Sequence, residues 1–135
     1  MLVRDRMSGN PLTIRADTDD KNALTLMQNH ATHHVPVLDA GGRLAGVLAE
    51  RDLLLAAMRY LQSAIEVAEI MHRNVITAAP DMPITEAAML MANNRIGGLP
   101  VVDGNRHVVG MITETDIFSA FVERLSEGGT IAPPA

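Results

Sequence analysis

The sequence predicts an α+β fold made of two similar halves, each a β-α-β-β-α unit with a three-stranded sheet and two helices. Two observations carry this prediction: an internal repeat with an offset of 64 residues and no gap, and the same order of strand and helix patterns in both halves. The composition agrees with it, because 47% of the 135 residues are hydrophobic and 20% are charged, as in globular domains. One such unit is too small to bury its own core, so the two are expected to pack together.

The composition also excludes several classes of protein. There is no Cys in the chain, which excludes disulfides, thiolate metal sites and Cys nucleophiles. Aromatic residues make up 2% and the net charge is −5, so no nucleic-acid partner is expected. The longest apolar run, residues 53–58, is too short to cross a bilayer, and the N-terminus has no apolar signal core. We expect a soluble cytoplasmic protein with no membrane partner.

The repeat is defined by residues that set turns. Chance matching of common residues would not keep one register across Pro, Gly, Asp and Asn, so the repeat is interpreted as a duplication. Its units are predicted to span residues 3–64 and 65–127, and residues 128–135 are predicted to form a flexible C-terminal tail. The matched positions include Asn10 with Asn74, Pro36 with Pro100, Asp39 with Asp103, Gly46 with Gly110 and Asp52 with Asp116.

The predicted elements follow in the same order in each unit. A short polar helix is followed by a strand, a helix with one apolar face, a buried strand, a hairpin turn, a third strand and an apolar helix. The Pro in each buried strand places that strand at a sheet edge, or places the Pro in its first residues. In the first unit the elements occupy residues 3–7, 11–14, about 20–31, 35–38, 39–42, 44–48 and 50–61. In the second unit they occupy residues 67–71, 75–77, about 84–91, 99–102, 103–105, 108–112 and 114–125.

The segment at residues 113–116, Thr-Glu-Thr-Asp, lies where the third strand of the second unit turns into its last helix. An ionised Asp offers two acceptor oxygens to the vicinal hydroxyls of a ribose, and a helix N-terminus attracts a phosphate. The same residues also form a variant of the capping box, with Thr113 as N-cap and Asp116 at the third helical position. The first unit has Ala49 at the cap position and keeps Asp52, so the residues alone leave both interpretations open.

Two segments of each unit resemble the signature of the cystathionine β-synthase (CBS) domain family. In the second unit they are Leu-Pro-Val-Val-Asp at residues 99–103 and Gly-Met-Ile-Thr-Glu-Thr-Asp-Ile at residues 110–117. The first unit carries them at residues 35–39 and 46–53, and the resemblance covers about residues 3–125. It implies a pseudo-twofold CBS-domain pair (a Bateman module) with two clefts between the repeats, which in the family commonly bind adenine nucleotides or S-adenosylmethionine.

The resemblance also implies which residues line the two clefts. In the family each cleft takes its Thr-x-x-Asp motif from one repeat and most of its other wall from the second repeat. Because Ala49 supplies no hydroxyl to cleft B, we expect cleft A to be the better formed, and Asp116→Ala to weaken nucleotide binding more than Asp52→Ala. Cleft A is expected to contain Asn10, Pro11, Leu12, Thr32, His33, His34, Met111, Thr113, Thr115 and Asp116. Cleft B is expected to contain Val47, Arg51, Asp52, Asn74, Val75, Ile76, Ile96, Gly97 and Gly98.

Two histidines lie at positions where the resemblance implies that the phosphate of a nucleotide would bind. His33 and His34 precede the Pro of the first repeat, where many family members carry Arg, Lys or His. Histidine gains positive charge as the pH falls from about 8 to 6, so nucleotide affinity is expected to rise over that range. His30 and His34 also have the spacing of a metal-binding pair on a helix. The helix is predicted to end near Ala31 and no acidic residue or Cys lies nearby in sequence, so no metal site is expected.

The predicted function is ligand sensing. No nucleophile–base pair, Walker loop or Gly-rich dinucleotide turn is present, so an enzyme is not expected. We expect a stand-alone regulatory protein that requires no cofactor, binds AMP, ADP or ATP between aliphatic walls, and transmits occupancy to an effector protein. S-adenosylmethionine and NAD are alternative ligands, and a structural dimerisation module with degenerate clefts is the alternative function. A homodimer, disc-like as the resemblance implies, is expected through Leu53, Leu54, Ala57 and Leu61 and through Ile117, Phe118, Phe121 and Leu125.

Overall fold

The computed structural model describes residues 1–127, and the tail predicted at residues 128–135 lies outside the described residues. Each repeat contributes strands, two α-helices and one short 3₁₀ turn. The strands are β1 (Ser8–Gly9), β2 (Ile14–Arg15), β3 (His34–Leu38), β4 (Leu44–Ala49), β5 (Gly98–Val102) and β6 (Val108–Thr113). The α-helices are α1 (Asp20–Asn29), α2 (Glu50–Arg59), α3 (Ile84–Asn94) and α4 (Glu114–Glu127), and the 3₁₀ turns are Val3–Asp5 and Val67–Glu69.

The strands form two three-stranded sheets, which confirms the predicted α+β fold. One sheet has the order β2-β3-β4 and the other has the order β1-β6-β5. In each sheet a hairpin supplies two antiparallel strands. Asp39 closes the first hairpin by accepting the backbone N–H groups of Gly41 and Arg43. Asp103 does the same in the second hairpin, so the turns form through the Asp chemistry that the sequence predicts.

Some predicted elements have different limits in the structure. The helices predicted at residues 3–7 and 67–71 are single 3₁₀ turns. The strand predicted at 75–77 is replaced by one parallel bridge between Ala78 and Val101. Helix α2 ends at Arg59 instead of Leu61. Lys21 Nζ donates to the carbonyls of Tyr60 and Ser63, and these bonds lead the chain away from the helix axis.

The position of Pro36 refines the prediction made from it. Strand β3 lies between β2 and β4 and is therefore central in the order of its sheet. However, β2 pairs only with Val37 and Leu38, whereas Pro36 pairs with Val47 of β4. Pro36 therefore has a strand on one side only, which is where the missing N–H of proline is tolerated.

The first segment of the chain packs with the second repeat. Val3 is fully buried in the same cluster as Leu99 and Ile112 of that repeat. Strand β1 then adds to the second sheet, with Ser8 opposite Met111 on β6. The core of the second repeat consists of Val3, Ala78, Ala87, Met91, Leu99, Val101 and Ile112.

The segment after residue 66 makes the reciprocal contact with the first repeat. Val67 and Met71 lie in the first core, and His72 pairs with Val47 on β4. Since each core includes a segment from the other unit, the two repeats fold as one body. The first core consists of Ile14, Ala23, Met27, Val35, Val37, Leu48, Leu53, Val67 and Met71.

The two hairpins meet at the pseudo-twofold axis. Arg43 and His107, which are 64 positions apart, form an antiparallel bridge with each other. Beside this bridge the N–H of Leu44 donates to the carbonyl of Arg106 at 2.9 Å. The guanidinium Nε of Arg106 donates back to the Leu44 carbonyl at 3.3 Å. The axis therefore passes between equivalent residues of the two repeats.

The segment that joins the repeats is fastened to the start of α1. The N–H of Asp20 donates to the carbonyl of Ile65 at 2.7 Å, and Asp20 Oδ1 accepts the N–H of Ile65 at 3.3 Å. Asp20 is fully buried, and within residues 1–127 its Oδ2 has no hydrogen-bond partner. Its place in the first turn of α1 is the end of a helix at which negative charge is stabilised.

Apolar side chains remain exposed on α2 and α4. Leu53 was predicted to lie on the exposed face of α2 but is fully buried, because that helix turns it into the first core. Phe118 and Phe121 on α4 are exposed, as predicted. The exposed apolar side chains of these helices are Leu54, Leu55, Met58, Phe118, Phe121 and Val122, and Leu61 follows α2.

Candidate functional site

A cleft of about 1010 Å³ opens between the two repeats. Its lining is pseudo-symmetric: every lining residue except His30 and Asn74 has its counterpart, 64 positions away, in the lining too. Pro36 and Pro100 are one such pair, and Val47 and Met111 are another. The sequence predicts two clefts, and residues predicted for the walls of both line this cavity.

Most of the predicted site residues line this cleft. Those in the lining are Pro11, Leu12, Thr32, His33, His34, Val47, Asn74, Val75, Ile76, Ile96, Gly97, Gly98, Met111 and Thr113. The others are Asn10, Arg51, Asp52, Thr115 and Asp116, which do not form its wall. Arg51 instead lines a smaller neighbouring cavity of about 380 Å³, which shares His33, His34 and Ala49 with the cleft.

The structure groups the residues before each Pro differently from the predicted clefts A and B. His34 pairs with Ala49 across strands β3 and β4, and the carbonyl of His33 accepts the N–H of Glu50. In the second repeat Gly98 pairs with Thr113 in the same way. Antiparallel pairing within each hairpin therefore places these residues beside the Thr-x-x-Asp region of their own repeat. Thr32, His33 and His34 lie toward Asp52, and Ile96, Gly97 and Gly98 lie toward Asp116.

The first-strand regions cross over as predicted. Ser8 lies opposite Met111, which brings Pro11 and Leu12 to the second repeat. His72 lies opposite Val47, which brings Asn74, Val75 and Ile76 to the first repeat. We call the two ends of the cleft the Asp116 half and the Asp52 half, each after the carboxylate that is bonded to one of its lining residues. The Asp116 half is lined by Ser8, Pro11, Leu12, Gly97, Gly98, Met111 and Thr113, and the Asp52 half by His33, His34, Val47, Ala49, His72, Asn74, Val75 and Ile76.

Asp116 is held by the residue that begins its own helix. Its Oδ2 accepts the backbone N–H of Thr113 at 2.9 Å and the Thr113 hydroxyl at 3.1 Å. This is one half of a capping box, in which the acidic side chain at the third helical position bonds back to the N-cap. Among residues 1–127 nothing donates to Asp116 Oδ1, so the capped carboxylate keeps one oxygen for a ligand. Capping and ligand binding are thus compatible at this position.

Asp52 is held by a residue from outside its repeat. His72 Nε2 lies 2.8 Å from Asp52 Oδ2. An ionised carboxylate only accepts, so the imidazole donates from Nε2. Helix α2 begins after Ala49 without a side-chain cap, and Asp52 makes no bond to the start of its own helix. The two equivalent carboxylates are therefore fixed by different donors.

Three basic residues outside the predicted clefts also line the cavity. They are His30, His72 and Arg95, which join His33 and His34, and no carboxylate belongs to the lining formed by residues 1–127. Arg95 adopts the left-handed conformation (φ 53°) that ends α3, as Ala31 (φ 50°) does after α1. The 64-residue offset gave no signal for Arg95 and His72, because their counterparts Ala31 and Ser8 were not predicted site residues either. The chain carries a net charge of −5, whereas the lining formed by residues 1–127 contains Arg95 and four histidines and no carboxylate.

The histidines are placed for an anion more readily than for a metal. In the region that the structure describes, no three His, Asp or Glu side chains converge on a common point that could hold a metal ion. His30 Nδ1 already lies 2.8 Å from the carbonyl of Leu26. His33 Nδ1 lies 3.8 Å from the carboxylate of Glu50, its one acidic neighbour within 4 Å in residues 1–127.

The fold and cleft define a class of protein: two duplicated α+β units that exchange their first segments and enclose a ligand-sized cleft. The chain belongs to the CBS domain family, because the CBS domain model matches residues 3–59 and 67–123. The resemblance read from the sequence is confirmed. None of the helices within residues 1–127 is long and apolar enough to span a membrane.

Two curated relatives show different settings for this fold. A CBS domain-containing protein of Dictyostelium discoideum is 34% identical over 93% of this chain and 94% of its own length. The L-aspartate semialdehyde sulfurtransferase of Methanocaldococcus jannaschii is 37% identical over 89% of this chain. In that comparison the chain spans 23% of the length of the enzyme.

Two solved structures share the fold and hold ligands. The CBS domain pair of protein MJ0100, in complex with 5′-methylthioadenosine and S-adenosyl-L-methionine, has a TM-score of 0.80 and 35% identity, over 92% of this chain and 98% of that one. The cytosolic domain of the Mg²⁺ channel MgtE, in complex with ATP, has a TM-score of 0.78 and 30% identity, over 88% of this chain and 48% of that one.

Proposed function

We propose that this protein is a regulatory CBS pair that binds an adenosyl ligand in the cleft and transmits occupancy to an effector protein. The observation that carries the proposal is the pair Asp52 and Asp116. Each lies in the first turn of a helix and is bonded through one oxygen to a residue that lines the cleft, and its other oxygen has no donor in residues 1–127. A ribose offers two adjacent hydroxyl donors to such an oxygen.

The walls between these carboxylates suit an adenine base. Leu12, Ile76 and Met111 line the cleft with aliphatic surface. The backbone of Gly97 and Gly98 is open to close approach, because neither residue carries a side chain. Small-ligand pockets commonly combine apolar walls with a few polar groups that fix orientation. A base between aliphatic walls, read at its edge by backbone groups, needs none of the chain's three aromatic residues.

The charge of the cleft favours a phosphate-bearing ligand. Three histidines lie in the Asp52 half, and Arg95 precedes Gly97 at the other end. An adenine nucleotide (AMP, ADP or ATP) is therefore favoured over S-adenosylmethionine, whose sulfonium adds positive charge. Both kinds of ligand occur among the relatives: the MJ0100 pair was solved with adenosyl sulfur compounds and the MgtE domain with ATP.

The proposed mode of action is regulation without catalysis. A ligand that contacts both repeats stabilises the arrangement in which the two repeats lie close together. It can shift the equilibrium between two states of the protein, and so act on a partner, only by the difference between its affinities for those states. We propose a homodimer through α2 and α4 as the form that presents this change to an effector. The apolar side chains exposed there, with Phe118 at 67% and Leu61 at 73%, form the surface that a second copy would cover.

A thermal-shift panel tests the proposal. AMP, ADP, ATP, NAD and S-adenosylmethionine are each added to the protein, and one adenine nucleotide is expected to raise the melting temperature by several degrees. Calorimetry then compares Asp116→Ala and Asp52→Ala, both expected to weaken binding, with Asp81→Ala, an exposed carboxylate outside the cleft, as the control. Equal nucleotide affinity in all three variants would show that the two carboxylates do not take part in binding.

The second candidate function is a structural dimerisation module. The exposed apolar faces of α2 and α4 support it independently of the cleft. A stable dimer that responds to none of the five ligands would favour this function over the sensor.

A further inference from the structure

We propose that His72 is a positioning residue of the ligand site, holding Asp52 in place of the threonine that the first repeat lacks. The proposal rests on the proposed function, because the role of Asp52 there is to receive a ribose. It also changes the sequence-based ranking of the two ends of the cleft. The absence of a hydroxyl at Ala49 no longer means that the Asp52 half lacks a donor for its carboxylate.

Each of the two carboxylates is restrained through one of its two oxygens. Asp116 Oδ2 accepts two bonds from Thr113, at 2.9 and 3.1 Å. Asp52 Oδ2 accepts one bond from His72 Nε2, at 2.8 Å. Within residues 1–127 the Oδ1 atom of each Asp is left without a donor. A carboxylate tethered at one oxygen has fewer orientations to lose when the other oxygen binds a hydroxyl, so the tether lowers the entropic cost of binding.

The backbone of His72 is anchored on the first sheet, and its side chain, which is 71% exposed, extends from there to Asp52. The N–H of His72 donates to the Val47 carbonyl and the N–H of Val47 donates to the His72 carbonyl, both at 2.9 Å. Met71, the preceding residue, is packed in the first core. This anchoring brings the imidazole to α2 without any contribution from the first repeat's own cap position.

In the second repeat the donor to the carboxylate comes from the cap position and not from the crossing segment. Ser8 occupies the position of His72, opposite Met111, and its side chain is too short for the role of an imidazole. There Thr113 makes the bond to the carboxylate instead. Each half of the cleft thus has one donor for its Asp: a hydroxyl at the cap position in one, and a histidine on the crossing segment in the other.

The two donors, Thr113 and His72, lie at different distances along the chain from the carboxylates that they hold, and this difference matters for regulation. Thr113 is three residues from Asp116, whereas His72 is 20 residues from Asp52 and follows the segment that joins the repeats. Ligand bound at Asp52 is therefore sensitive to the position of that joining segment. The Asp116 half is restrained locally and has no such link through its carboxylate.

Calorimetry with AMP in an Asp116→Ala background isolates the Asp52 half. His72→Ala is expected to lower AMP affinity about tenfold, which corresponds to about 1.4 kcal/mol. His72→Gln keeps an N–H donor near the position of Nε2 and is expected to retain affinity within about twofold. Adding Ala49→Thr to His72→Ala is expected to recover the loss, because the threonine restores the cap found at Thr113. Unchanged affinity in His72→Ala, or a loss that neither His72→Gln nor Ala49→Thr relieves, would overturn the proposal.

A measurement without ligand separates this proposal from the proposed function. In a double-mutant cycle of unfolding free energy, His72→Ala and Asp52→Ala are expected to be non-additive, since each removes the same bond. His72→Ala with Asp116→Ala is the control pair and is expected to be additive. If the wild-type protein binds none of the adenosyl ligands, the proposed function fails, while a non-additive cycle still supports the contact. An additive cycle for His72 and Asp52 overturns the positioning role whatever the protein binds.

Discussion

The sulfur of Met7 lies 2.6 Å from the point that a β-carbon on Gly110 would occupy. The same relation recurs in the first repeat, where the sulfur of Met71 is 2.7 Å from the corresponding point on Gly46. Backbone crowds these points as well, because the carbonyl oxygen of Ser8 is 2.8 Å from the one on Gly110. The glycine of each signature motif is therefore the place where the exchanged segment crosses the sheet of the other repeat.

Gly110→Ala is expected to destabilise the protein by about 1–3 kcal/mol, because the added methyl group overlaps Met7 and the crossing backbone. Gly46→Ala is expected to behave alike. Gly104→Ala is the matched control, since nothing lies within 4 Å of its added β-carbon. Urea unfolding of the three variants measures the difference. A Gly110→Ala protein as stable as Gly104→Ala would contradict the tight crossing.

Ala31→Gly is expected to stabilise the protein by about 0.5–1 kcal/mol. Ala31 has φ 50°, a left-handed conformation that glycine adopts without the steric cost that a β-carbon carries. Ala56, inside α2, is the opposite case, and Ala56→Gly is expected to destabilise by about 1 kcal/mol. Thermal or urea unfolding gives the sign of each change. The idea fails if both substitutions destabilise equally.

Glu123 is expected to contribute stability that acid removes. The hydrogen bond from Arg6, at 2.6 Å, lowers the pKa of Glu123 below its ordinary value of 4.5. A lowered folded-state pKa adds stability above the unfolded value, and this addition is lost as the pH falls through the folded value. Glu123→Gln should therefore be less stable than wild type at pH 6, with the gap closing below about pH 4.

The control for this prediction is Glu69→Gln. Glu69 is exposed, and its side chain makes no hydrogen bond or ion pair with the residues that the structure describes. Its effect on the unfolding free energy is expected to be flat over the same pH range. A Glu123→Gln gap that is equally large at pH 3 and pH 6 would contradict the role of the ion pair.

From the proposed function, nucleotide affinity is expected to rise as the pH falls from about 8 to 6, because a phosphate favours the charged form of a histidine beside it. His33 and His34 are the candidates, since both line the cleft. Glu50 is the acidic neighbour of His33, with its carboxylate 3.8 Å from His33 Nδ1. Calorimetry with AMP across the range measures the affinity. The double variant His33→Gln, His34→Gln is expected to flatten the profile, and an unchanged slope in that variant would remove both histidines from the phosphate site.

Phe118→Glu is expected to weaken self-association. Phe118 is 67% and Phe121 is 60% exposed on α4, and a charge placed there opposes burial against a second copy. Thr85→Glu, which adds the same charge to an exposed position on α3, is the control. Light scattering after size exclusion is expected to give a dimer for wild type and for Thr85→Glu, and a monomer for Phe118→Glu. A dimer in all three would exclude this face.

The sequence was sufficient wherever local chemistry and the repeat acted together. The 64-residue offset, the Asp-closed turns and the apolar periodicities predicted the α+β fold and the order of its elements. They also identified Asp52 and Asp116 as equivalent positions. The predicted ends of helices and strands were less accurate where a tertiary contact decided them. Helix α2 is an example: it ends early, at Arg59, where Lys21 bonds to the carbonyls of Tyr60 and Ser63.

Tertiary structure alone decided which residues meet across the cleft. Strand pairing placed His34 beside Ala49, and the crossing segment brought His72 to Asp52, a contact between residues 20 positions apart. A repeat offset reports that two positions are equivalent, but it does not report which partner each position meets, because that depends on how the two units exchange segments. The sequence by itself therefore determined the family, the duplicated fold and the candidate carboxylates. The local capping box determined the donor that holds Asp116, whereas packing between the repeats determined the donor that holds Asp52.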